Sequence, residues 1–114
     1  MSDRMRRVNE SVREVLSEAV LELKDPRIGF VTVTQVRTSP DLRHAKVYVS
    51  VLGNDAKQRK TLEGLDAARG VLQTTIARQL RMKRTPTLAF EFDPSVSEGV
   101  RMSKLIDDLA PDDD

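Results

Sequence analysis

The residues of this chain best suited to chemistry are cations, and they lie in a stretch that has no carboxylate. Between Ala67 and Phe90 there is no Asp or Glu, and the basic residues are Arg69, Arg78, Arg81, Lys83 and Arg84. On a helix Arg78 and Arg81 share a face, and the next two cations continue into the following loop. Cations without carboxylates nearby can bind the phosphates of a nucleic acid, and the counterions that surrounded those phosphates are then released. We therefore predict an RNA-binding surface, the alternative being a merely solvated basic face.

Three arginines near the amino terminus are weaker candidates for the same surface. They are Arg4, Arg6 and Arg7. Their charge is opposed by Glu10, Glu14 and Glu18, which follow closely along the chain. The net charge is only +1, and five of the last eight residues are Asp. Charge is therefore polarised along the chain, and this polarity is more informative than the sum.

Few residues here could carry catalysis. Cysteine is absent, His44 is the only histidine, and the sequence contains no zinc-binding, phosphate-loop or nucleophilic-serine motif. We expect His44 to be a solvent-facing residue beside a turn. We predict no enzyme activity, no metal and no cofactor. Because only four residues are aromatic, we do not expect a platform on which RNA bases stack.

The apolar residues predict one α+β domain. With 114 residues, of which 39% are hydrophobic, the chain can close a single core. Apolar residues at helical spacing predict a first helix from Asp3 to Leu23, which ends before Pro26. Two strands follow, at Ile28 to Val36 and Ala45 to Val51, and the turn residues Ser39-Pro40-Asp41 favour an antiparallel hairpin.

A second helical pattern runs from Ala56 to Leu80 and contains Gly70. A straight helix of that length would measure ~37 Å, comparable with the diameter of the domain, so we predict a bend at Gly70. Alanine at that position is then expected to be neutral or destabilising. A third strand is predicted from Leu88 to Phe92, and a short helix from Val100 to Leu109. We assign residues 1–109 to the domain and residues 110–114 to a disordered acidic tail.

Four segments spread over most of the chain carry a family resemblance. They are KDPRIG (24–29), DLRHAKVYV (41–49), LRMKRTPTL (80–88) and EGVRMSKLI (98–106). Together they resemble the ribosome-binding factor A family. The resemblance implies a KH-like fold of the second type, in the order α-β-β-α-kink-α-β. It also implies that an Ala-x-Gly kink, here Ala68-Arg69-Gly70, replaces the usual GxxG loop.

The same resemblance implies a function. The family binds 16S ribosomal RNA near the decoding region and assists late maturation of the 30S subunit, including processing of the 5′ end of the precursor. It is also associated with growth at low temperature. The expected partners are the 30S subunit and its 16S RNA, with other assembly factors as further candidates. Thr87 departs from the family pattern, where Glu often follows the proline, and the short acidic tail prevents any transfer of contacts made by longer tails.

We expect the protein to stay in the cytoplasm, and two rival functions remain open. The charged amino terminus contains no signal peptide or membrane span, so we expect a cytoplasmic protein that does not contact membranes. We also expect it to be a monomer. The first rival function is a protein-interaction or regulatory α+β module without RNA binding. The second is a nuclease of the precursor RNA, which the missing acid/base and metal-binding residues disfavour.

Overall fold

The first helix forms where its apolar spacing predicts it. In the computed structural model, which describes residues 3–93, helix α1 spans Asp3–Ala19 and continues as a 3-10 turn over Val20–Glu22. The face buried in the core carries Val12, Val15, Leu16 and Val20. The predicted bounds are therefore confirmed to within one residue, although the last turn is tighter than an α-helix.

The predicted antiparallel hairpin is confirmed, with one shifted boundary. Strand β1 spans Val31–Thr38 and pairs with strand β2, His44–Val51, in antiparallel register. β1 begins three residues later than predicted because the preceding segment forms a turn, in which the Ile28 N–H donates to the Asp25 carbonyl at 3.0 Å. The Asp25 carboxylate accepts hydrogen bonds from the side chain and backbone of Arg27, and these lower its pKa from 3.8 to about 2.

The bend in the long helical segment is confirmed, and it lies within the Ala68-Arg69-Gly70 segment that the family resemblance implies, but two residues before Gly70, where we placed it. Helix α2 spans Asp55–Ala67 and helix α3 spans Arg69–Leu80, with the break at Ala68. The backbone of Ala68 leaves the helix, at φ −90° and ψ 3°. Gly70 lies in the first turn of α3 with a helical backbone, and a Cβ built there meets nothing within 4 Å. The bend therefore does not use the conformational freedom of Gly70.

The break lets the two helices pack on different neighbours. α2 packs against β2 and against the third strand, β3, which spans Thr87–Phe92, whereas α3 packs against α1 and β3. The start of α2 is capped by the side chain of Asn54, which accepts from the Lys57 N–H at 2.9 Å. Leu65 on α2 and Leu72 on α3 are both fully buried. Each helix therefore contributes its own apolar face to the core.

The sheet has the order β1-β2-β3, and β3 runs parallel to β2. Along β2 the buried residues Ala45, Val47 and Val49 alternate with more exposed ones, so one face of the sheet carries the core. The helices cover that face. The observed α+β order, with two helices between β2 and β3, agrees with the order that the family resemblance implies. The predicted helix at residues 100–109 and the tail at 110–114 lie outside the described residues.

One close contact in the core was not predicted. Gly64 of α2 packs on the loop before β1, and a Cβ built at Gly64 would lie 2.6 Å from Cγ1 of Ile28. A side chain therefore cannot be added there unless the loop or the helix moves.

No helix within residues 3–93 is long and apolar enough to cross a membrane.

Candidate nucleic-acid interface

Four cations of the acid-free stretch lie together where α3 ends. Arg78 is in the last turn of α3, and Arg81 follows the helix with a left-handed backbone, at φ 51° and ψ 42°. Lys83 and Arg84 occupy the loop that leads to β3. All four are exposed, and within residues 3–93 none of them forms an ion pair. The structure thus places these predicted residues, all exposed, in the last turn of α3 and in the loop that follows it.

Hydrogen bonds hold the far end of this loop. The Leu88 N–H donates to the side-chain oxygen of Gln73 on α3 at 3.0 Å, and the Thr87 N–H donates to the carbonyl of Arg43 at 2.8 Å. Pro86 between the loop and the strand is fully buried. The loop therefore leaves the body of the protein from a fixed point, while its cationic side chains remain in solvent.

The amino-terminal arginines differ in what they can contribute. Arg7 lines a shallow groove with Leu80 and Met82, which places it beside the end of α3. Arg4 lines a second groove with Pro40 and Leu42 of the β1–β2 turn. Arg6 is instead held by the Asp3 carboxylate at 2.9 Å. The structure therefore brings Arg4 and Arg7 to the same end of the protein, where their positive charge adds to the α3–β3 loop.

A buried amide attaches the start of α1 to this end of the sheet. The side-chain oxygen of Asn9 accepts a hydrogen bond from the Thr38 N–H at 2.9 Å, and both residues are buried. Thr38 is the last residue of β1, so the bond fixes the first turns of α1 beside the β1–β2 turn. Arg4 and Arg7 are positioned through this contact.

Arg69 does not join the others. It begins α3 and is separated from Arg78 by nine residues, which on a helix is about 13.5 Å along the axis and roughly half a turn around it. Arg69 therefore does not share a helix face with Arg78, although both were predicted to belong to the RNA-binding surface. Ala68, Arg69 and Gly70 form the α2–α3 junction, at the other end of α3 from the cationic loop.

Sequence reasoning missed Arg43. It precedes β2, is exposed, and lies next to the start of β3 through the bond between its carbonyl and Thr87. Its guanidinium is 3.9 Å from the Asp41 carboxylate, whose pKa is lowered mainly by the Ser39 hydroxyl and then by the Arg43 N–H. We call the combined surface the basic end. It consists of Arg4, Arg7, Arg43, Arg78, Arg81, Lys83 and Arg84.

The side chains of the basic end are chemically suited to contacts with phosphate groups. Its guanidinium and ammonium groups are solvated hydrogen-bond donors. Each group has more than one N–H that it can donate to phosphate oxygens. Within residues 3–93 no three His, Cys, Asp or Glu side chains come together as metal ligands. His44, at the start of β2, is exposed as expected. Such a fold and surface are those of a small α+β protein with a group of exposed cations at one end.

Comparison with known proteins gives the family. The family model described as ribosome-binding factor A matches residues 4–106, and this chain belongs to that family. Ribosome-binding factor A of an Azoarcus species is 44% identical over 112 residues, which cover 97% of this chain and 89% of the relative. The family resemblance seen in the sequence is confirmed.

Solved structures agree with the fold. The solution structure of a ribosome-binding factor A protein from Thermotoga maritima is 37% identical and superimposes with a TM-score of 0.74, covering 82% of this chain and 90% of the other. A model of Thermus thermophilus ribosome-binding factor A, fitted into a cryo-EM map of its 30S complex, gives a TM-score of 0.65 at 31% identity, covering 75% of this chain and 91% of the other.

Proposed function

We propose that this protein is an assembly factor that binds the 16S RNA of the small ribosomal subunit through the basic end. The observation that carries the proposal is the grouping of exposed cations from α1, the β1–β2 turn and the α3–β3 loop, most of them without a carboxylate partner among residues 3–93. The Thermus thermophilus relative has been fitted into a map of a 30S complex, which supports the same partner here.

The proposed mechanism is not catalytic. Exposed guanidinium groups contact phosphates of folded RNA, and specificity comes from the shape of the RNA, because phosphates carry no sequence information. The bound protein holds an immature arrangement late in 30S assembly and leaves when the site is completed. It assists processing of the 5′ end by presenting the precursor to other enzymes, in the cytoplasm, and this assistance matters most during growth at low temperature.

Several further expectations belong to this proposal. The protein acts as a monomer, with other assembly factors as additional partners on the particle. Residues 1–109 form the RNA-binding domain, and residues 110–114 form an acidic tail outside it. Neither a metal nor a cofactor takes part.

Salt dependence distinguishes this function from a protein-interaction module. We expect binding to purified 30S subunits whose affinity falls steeply with salt, with a log–log slope of roughly −0.7 to −0.9 for each phosphate contacted. Binding measured between 50 and 300 mM KCl, together with sedimentation of the free protein, gives the answer. Self-association with no affinity for 30S subunits at low salt would favour the protein-interaction module.

The protein is also expected to leave precursor RNA intact. A hydrolytic site needs a metal or an acid/base pair in position, and the basic end offers neither. Precursor 16S RNA is incubated with purified protein and Mg²⁺, and its 5′ end is mapped by primer extension. Cleavage that requires the protein and disappears when one acidic residue is replaced would establish a nuclease instead.

A further inference from the structure

The face of the sheet that points away from the helices carries two large exposed apolar side chains. Phe30 is 81% exposed and Leu52 is 72% exposed. They lie opposite each other, because the Leu52 N–H donates to the Phe30 carbonyl at 3.1 Å, directly beyond the pair formed by Val31 and Val51. Side chains alternate along a strand and Val51 belongs to the core, so the exposed pair lies on the other face. Together the two side chains form an apolar spot that a further element can cover.

This surface, which we call the open face, changes in character along the strands. From the apolar pair towards the basic end, its successive rows are Thr32 with Ser50, Gln35 with Tyr48 and Glu91, and Arg37 with Lys46 and Ala89. Tyr48 is half-buried, whereas Arg37 and Lys46 are exposed. Lys46 lies 3.7 Å from the Glu91 carboxylate, and Arg37 forms no ion pair within residues 3–93. The open face is thus apolar at one end and cationic at the other.

The described part of the chain ends close to this apolar pair. β3 runs parallel to β2, and the Asp93 N–H donates to the Val49 carbonyl at 3.0 Å, which places Asp93 near the end of β2 that leads to Leu52. The Asp93 carboxylate also accepts a hydrogen bond from the Thr34 hydroxyl on β1 at 2.6 Å. Residue 94 therefore starts from a fixed point, which lies two residues of β2, or about 7 Å, from the level of Leu52.

The sequence that follows Asp93 contains an apolar stripe of matching size, within the helix predicted at residues 100–109. Four large apolar residues recur at the i, i+3, i+4 and i+7 positions of one helix face: Met102, Leu105, Ile106 and Leu109. Lys104 and Asp107 are on the opposite face of such a helix. A helix of that length measures ~15 Å by about 10 Å, and three strands spaced ~4.8 Å apart can support it. Residues 94–99 span up to ~20 Å, which is enough to reach Leu52.

Charge favours the same segment and one direction for it. A helix that starts near Leu52 and follows β2 brings its last turn towards the cationic end of the open face. Asp108 flanks the apolar stripe in that turn, and Arg37 and Lys46 lie about 20 Å from Leu52 along the sheet. The carboxyl end of a helix also attracts cations. A segment of the same chain has an effective concentration on the order of millimolar, so an outside partner would have to displace it.

We propose that residues 100–109 of this chain pack as a helix on the open face, with the apolar stripe over Phe30 and Leu52 and with Asp108 towards Arg37. The sheet then lies between two helical layers, α1 to α3 on one face and this segment on the other. The inference does not depend on the proposed function, because the contact forms within one chain and needs no RNA.

The chain contains no Trp, so Phe30→Trp introduces a single fluorescent reporter. Its emission should be that of a covered indole, shifted to the blue and weakly quenched by acrylamide. Adding Leu105→Gln and Ile106→Gln should shift the emission to the red and restore quenching. Adding Lys104→Gln and Asp107→Gln is the matched control, since it also introduces two glutamines without changing the net charge, and glutamine is a good helix former. The emission should then stay blue.

The reporter has three results that would overturn the inference. The first is an exposed indole in the Phe30→Trp protein itself. The second is a blue emission that neither pair of glutamines changes, and if that emission moves to the red on dilution, the occupant is a second copy of this chain. The third is an equal red shift with both pairs of glutamines, because contact through the apolar stripe predicts a response to only one of them.

Cross-linking gives an independent measure, because the chain has no cysteine of its own. Ser50 lies on the open face between Leu52 and Tyr48, and a disulfide forms only when two Cα atoms come within about 7 Å. Ser50→Cys with Leu105→Cys should oxidise readily to a disulfide within one chain. Ser50→Cys with Lys104→Cys should oxidise much more slowly, although the connecting chain differs by only one residue. Equal oxidation of both pairs, or of neither, would contradict packing through the apolar stripe.

Discussion

Lys83→Glu combined with Arg84→Glu is expected to weaken binding to 30S subunits roughly a hundredfold, because two charged contacts of about 1.5 kcal/mol each are lost and carboxylates repel the phosphates. The slope of log affinity against log salt should become shallower by about 1.5. Filter binding or sedimentation at four KCl concentrations measures both quantities. Both residues are exposed, so unfolding temperature should be nearly unchanged.

Lys24→Glu combined with Arg59→Glu is the matched control. It changes the net charge by the same amount at exposed positions outside the basic end, Lys24 in the loop after α1 and Arg59 in α2. We expect it to alter 30S affinity only a few-fold, through the long-range field. If both folded double variants lose affinity equally, overall charge governs binding and the basic end is not a site. If neither loses affinity, the RNA surface lies elsewhere.

Gly64→Ala and Gly70→Ala are expected to change stability in opposite directions, although they are the same substitution in adjacent helices. At Gly64 the new Cβ would lie 2.6 Å from Ile28 Cγ1, which forces a shift and costs about 2 to 3 kcal/mol. At Gly70 the space is open and the backbone helical, so alanine should stabilise by up to about 1 kcal/mol. The sequence-based expectation for Gly70 is thereby reversed.

Urea unfolding of the two variants measures this difference, and thermal unfolding should show a fall in Tm on the order of 10 °C for Gly64→Ala. Adding Ile28→Ala removes the colliding carbon, so the double variant should be more stable than the two separate losses predict. A Gly64→Ala protein as stable as the parent would show that α2 moves away from Ile28 at no cost. Normal 30S binding by Gly70→Ala would show that RNA does not approach that glycine closely.

The helices and strands that follow from residues close together in the sequence could be predicted. Apolar residues at helical spacing gave the bounds of α1, and alternation along Ala45 to Val51 predicted β2 and its buried face. The bend in the second helical segment followed from length alone. Its position did not, because glycine is only one way to end a helix, and Ala68 leaves the helical region without the freedom of a glycine.

The contacts that join distant parts of the chain could not be predicted from the sequence. The cations of the α3–β3 loop were found because they adjoin one another. Arg43 was missed because its place depends on the pairing of β2 with β3. The exposure of Phe30, at 81%, could not be predicted either, because it depends on where the turn at Asp25 ends and β1 begins. Patterns of spacing do not contain that information.

The parallel pairing of β2 with β3 also determines the stage of chain synthesis at which the basic end can form. Parallel neighbours cannot be joined by a tight turn, and here the connection passes through α2 and α3 before Thr87 reaches Arg43. Such non-local contacts form late, since the intervening chain must be ordered first. During synthesis, a nascent chain that has not yet emerged as far as β3 can hold α1 and the hairpin but cannot fix its cationic loop beside them. The basic end is thus completed only after β3 has been synthesised, so that a chain that ends before Thr87 cannot present all of it.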